Sequence, residues 1–236
     1  MADLTDLLLD PTLEEAKKIA VTESTKQPSR DYLGASQIGH ACERAIWYAF
    51  NGYEPKQKSY TNVFAVEDGY RTEDLIIERI SKVKGIEVHS RQDGFSDMDG
   101  RFKGHIDGII VGLLQSKKTP HLLEIKCCNE TKYKNLIKAK EEHGERDALE
   151  HWDILYYAQA QVYMLKFNLD RHYLICSLPG GRDFVSVRSE LNEERANQYL
   201  KRAYRIINTI NAPERIGVNR DFFKCKFCNF SSECWK

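Results

Sequence analysis

Three charged residues stand where a strand-like sequence would bury them. Asp107 interrupts the apolar run Ile106–Val111, and Glu124 and Lys126 alternate with apolar residues in Leu122-Leu123-Glu124-Ile125-Lys126-Cys127. Side chains two apart on a strand point the same way. Glu124 and Lys126 therefore project together, while Leu123 and Ile125 face the opposite side. Pairing of the two runs as neighbouring strands brings Asp107 to the same place. Buried charges persist where they are paired or bind metal. Two hard carboxylates, with the backbone carbonyl of Ile125 as a further ligand, suit magnesium or manganese, whose remaining ligands are water. An ammonium beside them orients an attacking water, helps to deprotonate it and balances phosphate charge. The chemistry is metal-assisted phosphodiester hydrolysis. The bland reading of Glu-x-Lys is a solvated, salt-bridged sheet edge, and the apolar flanks of Asp107 and Glu124 weigh against it.

A second constellation is made of cysteines. Of seven, three crowd the last twelve residues as Cys225-x2-Cys228-x5-Cys234. Three soft ligands this close hold one face of a metal centre, and Cys42, far upstream, is the candidate fourth. Four thiolates suit zinc or a [4Fe–4S] cluster, and spacing does not decide between them. Cys127, Cys128 and Cys176 read as buried strand cysteines. The first ten residues, MADLTDLLLD, lack the basic segment and cleavage site of a signal peptide. A reducing, cytoplasmic setting is expected, in which clustered cysteines bind metal rather than form a disulfide framework.

Lys+Arg and Asp+Glu both number 35, so no general polyanion-binding coat exists. The charge is uneven, however. From Arg195 onward nine Lys/Arg face three Asp/Glu, with Phe222, Phe223 and Phe227 interleaved. Arg220, Lys224 and Lys226 are the candidate phosphate contacts. No apolar run is long enough to span a bilayer, so no membrane partner is expected.

The elements that must position these residues follow from periodicity and caps. Asp10-Pro11 starts a short helix to about Ala20, and residues 21–31 read as a linker. Ser36 caps a helix to about Phe50. A second helix covers 62–83, with Gly69, Glu73, Ile76, Ile77 and Ile80 on one face. Strands are expected at 86–95, 101–112 and 121–127. Residues 130–146 read as a charged, exposed and mobile stretch. A long helix is expected over 147–167, strands at 171–178 and 183–189, a helix at 192–211, and a loop to the end. The order gives an α/β core with a mixed sheet.

In this order the motifs resemble a known family. Asp107 followed by Glu124-Ile125-Lys126 is similar to the signature of the PD-(D/E)XK nuclease superfamily, with Ile106 in place of the proline. Gln159-x-x-x-Tyr163 resembles a motif of its RecB-like branch, and spacing four puts both on one helix face. Gly69-x-x-x-Glu73 resembles another, with Glu73 where many members have histidine. Cys42 with the C-terminal cysteines resembles the iron–sulfur nucleases related to AddB and the CRISPR-associated exonucleases, of stand-alone phage or prokaryotic type. The resemblance implies a restriction-endonuclease-like core, a mixed central β-sheet flanked by helices, whose chain ends are joined by a [4Fe–4S] staple on Cys42, Cys225, Cys228 and Cys234. It implies an N-terminal helix and linker (1–35) and a nuclease domain (36–236). It implies a DNA exonuclease of the cytoplasm, of a prokaryote or a phage-infected host, using Mg2+ or Mn2+ on Glu73, Asp107, Glu124 and the Ile125 carbonyl, with Lys126, Gln159 and Tyr163 completing the catalytic set. DNA is the implied partner, and a helicase or recombination protein a further one. Oligomeric state stays open. The alternatives are a non-cleaving DNA-binding module of the same fold and a zinc-stapled structural protein.

Overall fold

The structure is a computed structural model and describes residues 10–26 and 30–236. Residues 27–29 of the expected linker, and residues 1–9, lie outside the described residues. Helix α1 (Pro11–Thr25) starts where Asp10 accepts from the Thr12 and Leu13 amides, and it runs five residues longer than its sequence suggests. Strand β1 (Leu33–Gly34) and a 3-10 turn (Ala35–Gln37) follow. The helix expected from Ser36 starts later, as α2 (Glu43–Phe50), because Gly39 closes on another helix. Helix α3 (Tyr60–Ser81) is capped by Ser59.

The two long runs expected as single strands are each broken in two. Residues 86–95 contain β2 (Glu87–His89) and the start of β3 (Gly94–Asp97), and residues 101–112 give β4 (Phe102–His105) and β5 (Gly108–Val111). β3 and β4 join β1 in a three-stranded mixed sheet, order β1-β4-β3. β2 and β5 belong to a five-stranded mixed sheet, order β2-β5-β6-β7-β8, with β6 (His121–Cys127), β7 (Arg171–Ser177) and β8 (Phe184–Glu190). The break falls where Ile106 is bound on both sides of its peptide: Ile106 N–H donates to Asp93 O, and Gln92 N–H donates to Ile106 O.

The charged stretch 130–146 is a helix rather than a mobile segment. α4 (Glu130–Trp152) is capped by Asn129 and kinks at Gly144 (φ 77°). Tyr133, Leu136 and Ala139 recur at helical spacing and are buried, so one face is core although the rest is charged. Asp153 (φ −154°) ends α4 and caps α5 (Ile154–Lys166), dividing the single helix expected there. Helix α6 (Glu193–Asn208) and two short helices, α7 (Phe223–Lys226) and α8 (Ser231–Cys234), complete the chain. Among the described residues no helix is long and apolar enough to cross a membrane.

The five-stranded sheet is covered on both faces. Leu123, Ile125 and Ile175 share a core cluster with Ile76 and Ile77 of α3. On the other face Cys128, Leu174 and Cys176 cluster with Leu136 and Leu149 of α4 and Tyr157 of α5. His172 on β7 is buried at 1% exposure, bonded at Nδ1 to Ser189 Oγ (3.0 Å), with no partner for Nε2. Burial pushes its pKa down to about 3. The unfolded chain protonates near pH 6.5 and the fold does not, so stability present above 6.5 is lost as pH falls towards 3. At pH 4.5, wild type is expected to lose about 2–3 kcal/mol more than His172→Gln relative to pH 7. Urea melts at both pH values check this, and an equal loss in the two proteins would refute it.

Candidate active site

The break between β4 and β5 builds the site. The β5–β6 ladder pairs Ile110 with His121, Ile109 with Leu122 and Gly108 with Leu123, and then stops. Asp107, next in register with Glu124, leaves the ladder. Its Oδ2 instead accepts the Ile125 amide at 2.7 Å, taking the place of a main-chain partner. Glu124, 4% exposed, receives the Lys126 ammonium and, at 3.1 Å, Gln159 Nε2 of α5, both on Oε1. Glu73 of α3 is held by Gln92 Nε2 at 3.0 Å and lies 3.7 Å from Arg91.

Electrostatics show that these groups share one site. Burial and then the Asp107 charge push the Glu124 carboxyl up to about 7, against the pull of Lys126. Burial raises Asp107, opposed first by Lys126 and then by the Ile125 amide. Burial and Asp107 likewise raise Glu73. For Lys126, burial alone lowers the pKa, but Glu124 and Asp107 more than offset it, so the group stays an ammonium through the neutral range. Burial raises all three carboxylates, Asp107 adds to the rise of Glu124 and Glu73, and Lys126 and Arg91 offset it only in part.

The structure thus brings Glu73, Asp107, Glu124, Lys126 and Gln159 together. Tyr163, one turn beyond Gln159, is raised by burial and then by Glu124, and bears on the same group. It rests against Gly104, where an added Cβ would come within 2.5 Å of its ring. Gly104→Ala is expected to destabilise by about 1–3 kcal/mol, measured by denaturant melt. An unchanged midpoint would mean that the ring swings aside freely.

Four neighbours carry no signal strong enough to single them out in the sequence. Arg91 and Gln92 lie in the run that reads as a weak strand, where Gln92 in fact takes a positive φ (59°) at the turn. Tyr156 lies under both Lys126 (5.2 Å from ring centroid to Nζ) and Lys132 (4.2 Å), and Lys132 pairs with Asp153 at 2.6 Å. The polar character of 130–146 hides Lys132. The one available signal for Tyr156 is its position three residues before Gln159 on the same helix.

Four of the cysteines lie together, away from the carboxylates. Cys42, Cys225, Cys228 and Cys234 all line one cavity of about 20 Å³, together with Arg44, Arg215, Lys224, Ser231 and Trp235. Burial first, and then the neighbouring thiols, raise Cys225 and Cys228. Ser231 Oγ and Trp235 Nε1 are buried there without a hydrogen-bond partner. Direct bonds already tie the ends around this cavity: Arg44 donates to Ala212 O (3.3 Å) and Pro213 O (2.8 Å), and Arg215 to Cys234 O (2.6 Å). Among the described residues no three His, Cys, Asp or Glu side chains converge closely enough to hold a metal ion. Arg220, Lys224 and Lys226 are exposed, Lys224 at the rim of the cysteine cavity.

No protein-family model matches this chain, and no curated protein matches it significantly. Among solved structures it is similar to the crystal structure of SSO0001, at 17% identity and TM-score 0.53 over 95% of this chain and 96% of that one. It is also similar to an alkaline exonuclease (LHK-Exo) from Laribacter hongkongensis, at 14% identity and TM-score 0.52 over 82% of this chain and 90% of that one. LHK-Exo in complex with dAMP gives 15% identity and TM-score 0.50 with the same coverage. The likeness establishes the fold: a restriction-endonuclease-like α/β core of mixed sheets flanked by helices.

Proposed function

We propose that the chain is a divalent-metal-dependent DNA exonuclease of the PD-(D/E)XK superfamily, in its RecB-like iron–sulfur branch. The observation that carries this is the site on β6. Glu124 and Lys126 share a face, Asp107 is clamped beside them by the Ile125 amide, and Gln159 and Glu73 close in from α5 and α3. Buried carboxylates of this kind, balanced only in part by Lys126 and Arg91, would suit Mg2+ or Mn2+, held by Asp107, Glu124, Glu73 and the Ile125 carbonyl. When bound, the ion supplies Lewis-acid polarisation of the phosphate and acidification of water.

The remaining work falls to the protein. The ammonium of Lys126, kept protonated by its carboxylate neighbours, donates to the attacking water and faces the charge that develops on phosphate. It therefore orients rather than deprotonates at neutral pH. Gln159 fixes the Glu124 rotamer, and Tyr163 packs behind it. The solved structures with this fold include a protein titled an alkaline exonuclease, which supports the reading.

A [4Fe–4S] cluster would be held by Cys42, Cys225, Cys228 and Cys234, which line one cavity. Thiols gathered in one place would lose their protons to solvent on binding a metal centre, and Ser231 Oγ is buried beside them without a partner. The cluster would staple the chain ends of the nuclease domain, residues 36–236. Helix α1 belongs to the appended segment, and Leu33–Gly34 near its end pairs with Phe102–Lys103. In this reading the protein works in the cytoplasm, with a helicase or recombination protein to open duplexes.

Digestion of end-labelled single- and double-stranded DNA, with and without manganese, tests the function. Intact label under every condition would leave a DNA-binding module. Replacing Arg220, Lys224 and Lys226 by alanine is expected to weaken binding and flatten its salt dependence, by about 0.7–0.9 log units of slope for each phosphate no longer neutralised. An unchanged slope would mean that the tail faces away from DNA.

A further inference from the structure

Cys128 and Cys176 belong neither to the carboxylate site nor to the cysteine cavity. Cys128 is 8% exposed and Cys176 fully buried. Their sulfurs lie 2.7 Å apart, inside van der Waals contact and approaching the ~2.05 Å of a disulfide bond. The sheet holds them there. β6 and β7 run parallel with Lys126 level with Cys176, and beyond the strand end the Cys128 amide donates to Ser177 O at 2.9 Å. Cys176, level with Lys126, thus sits beside the end of β6. Cys127 faces the other way, towards Thr72 of α3.

We propose that Cys128 and Cys176 form a peroxide-sensitive dithiol that closes to a reversible disulfide joining the end of β6 to β7. The pair is asymmetric. Cys128 is the more exposed of the two and has the Lys132 charge beside it, while Cys176 is fully buried. Cys128 is thus the nucleophile and Cys176 the resolving thiol. Its small exposure admits hydrogen peroxide rather than a bulky disulfide. The Cys128 thiolate attacks one peroxide oxygen, the O–O bond breaks, and hydroxide leaves to give a sulfenic acid. Cys176 then attacks that sulfur, the S–O bond breaks, and its proton leaves with the hydroxyl as water. Two thiols and one peroxide give one disulfide and two waters. Dithiothreitol reverses the bond by thiol–disulfide exchange.

The test uses the full-length folded protein, titrated with hydrogen peroxide, alkylated and digested with trypsin without reduction. The expected product is peptide 127–132 joined to peptide 172–182 with loss of two hydrogens, abolished by dithiothreitol. The cross-link is expected to persist in Cys127→Ser and to vanish in Cys128→Ser. Complete alkylation of Cys128 and Cys176 after peroxide would overturn the proposal, as would a cross-link that survives Cys128→Ser. The readout is a peptide mass, so it stands or falls separately from DNA cleavage and from iron content.

Discussion

Alanine at Asp107, Glu124 or Lys126 is expected to lower DNA cleavage by about 10²–10⁴-fold or more in each case, with the fold intact. Asp107→Ala frees the Ile125 amide and removes one of the two central carboxylates. Glu124→Ala strips Lys126 and Gln159 of their shared acceptor. Lys126→Ala removes the one cation that faces both carboxylates. The losses are expected to be non-additive, because the groups act as a unit. Melting midpoints serve as the control, since burial raises both acids and neither carboxylate is at its most stable in the metal-free fold. The same shift gives the pH dependence. Glu124 titrates at about 7, so below that pH a proton competes with metal for the site. At subsaturating Mn2+, cleavage is expected to rise as pH increases through about 7, and the limb should move to lower pH as metal is added. Wild-type turnover by any of the three variants, or a limb that ignores metal concentration, would remove the assignment.

Protein purified without oxygen is expected to be brown and to carry about four irons per chain. Cys42→Ser is expected to lose iron as completely as Cys225→Ser, Cys228→Ser or Cys234→Ser, because all four line one cavity. Serine at Cys127, Cys128 or Cys176 should spare the iron. Losing the cluster releases a constraint between residue 42 and residues 225–234, a very long loop. Arg44 still holds Ala212 and Pro213, so the loosened part begins after them. Limited proteolysis of iron-free protein is therefore expected to cut first between residues 214 and 224. Colourless wild type with one zinc would select the structural-zinc reading, and a fully coloured Cys42→Ser would refute the staple.

The candidate active-site set is legible in the sequence because its signals are local. A period of two puts Glu124 and Lys126 on one face, a period near four does the same for Gln159 and Tyr163, and the cap at Asp10 is written in a single residue. The cysteine spacing marks Cys225, Cys228 and Cys234 as neighbours in the same way, although it does not choose a metal. Where charge and periodicity disagree, the sequence misleads. Residues 130–146 are polar enough to mask the buried stripe of Tyr133, Leu136 and Ala139, and Lys132 with it.

Other features depend on distant parts of the chain. Residues 101–112 have unbroken strand character, yet the strand divides at Ile106-Asp107. Gln92 and Asp93, in the turn before β3, bind Ile106 while the Ile125 amide of β6 binds Asp107. No local propensity encodes that division, and it is what turns Asp107 out of the ladder to stand beside Glu124. The seating of Tyr163 on Gly104, and of Gly39 against the start of α5, are likewise contacts between remote segments. So is the meeting of Cys128 with Cys176, 48 residues apart and legible in the sequence only as buried thiols. Short-range order along the chain settles which groups face which side of their own element. Which elements meet is settled by the assembled fold, because that choice maximises buried apolar surface and leaves the fewest polar groups unpaired over the whole chain, not within any window of it.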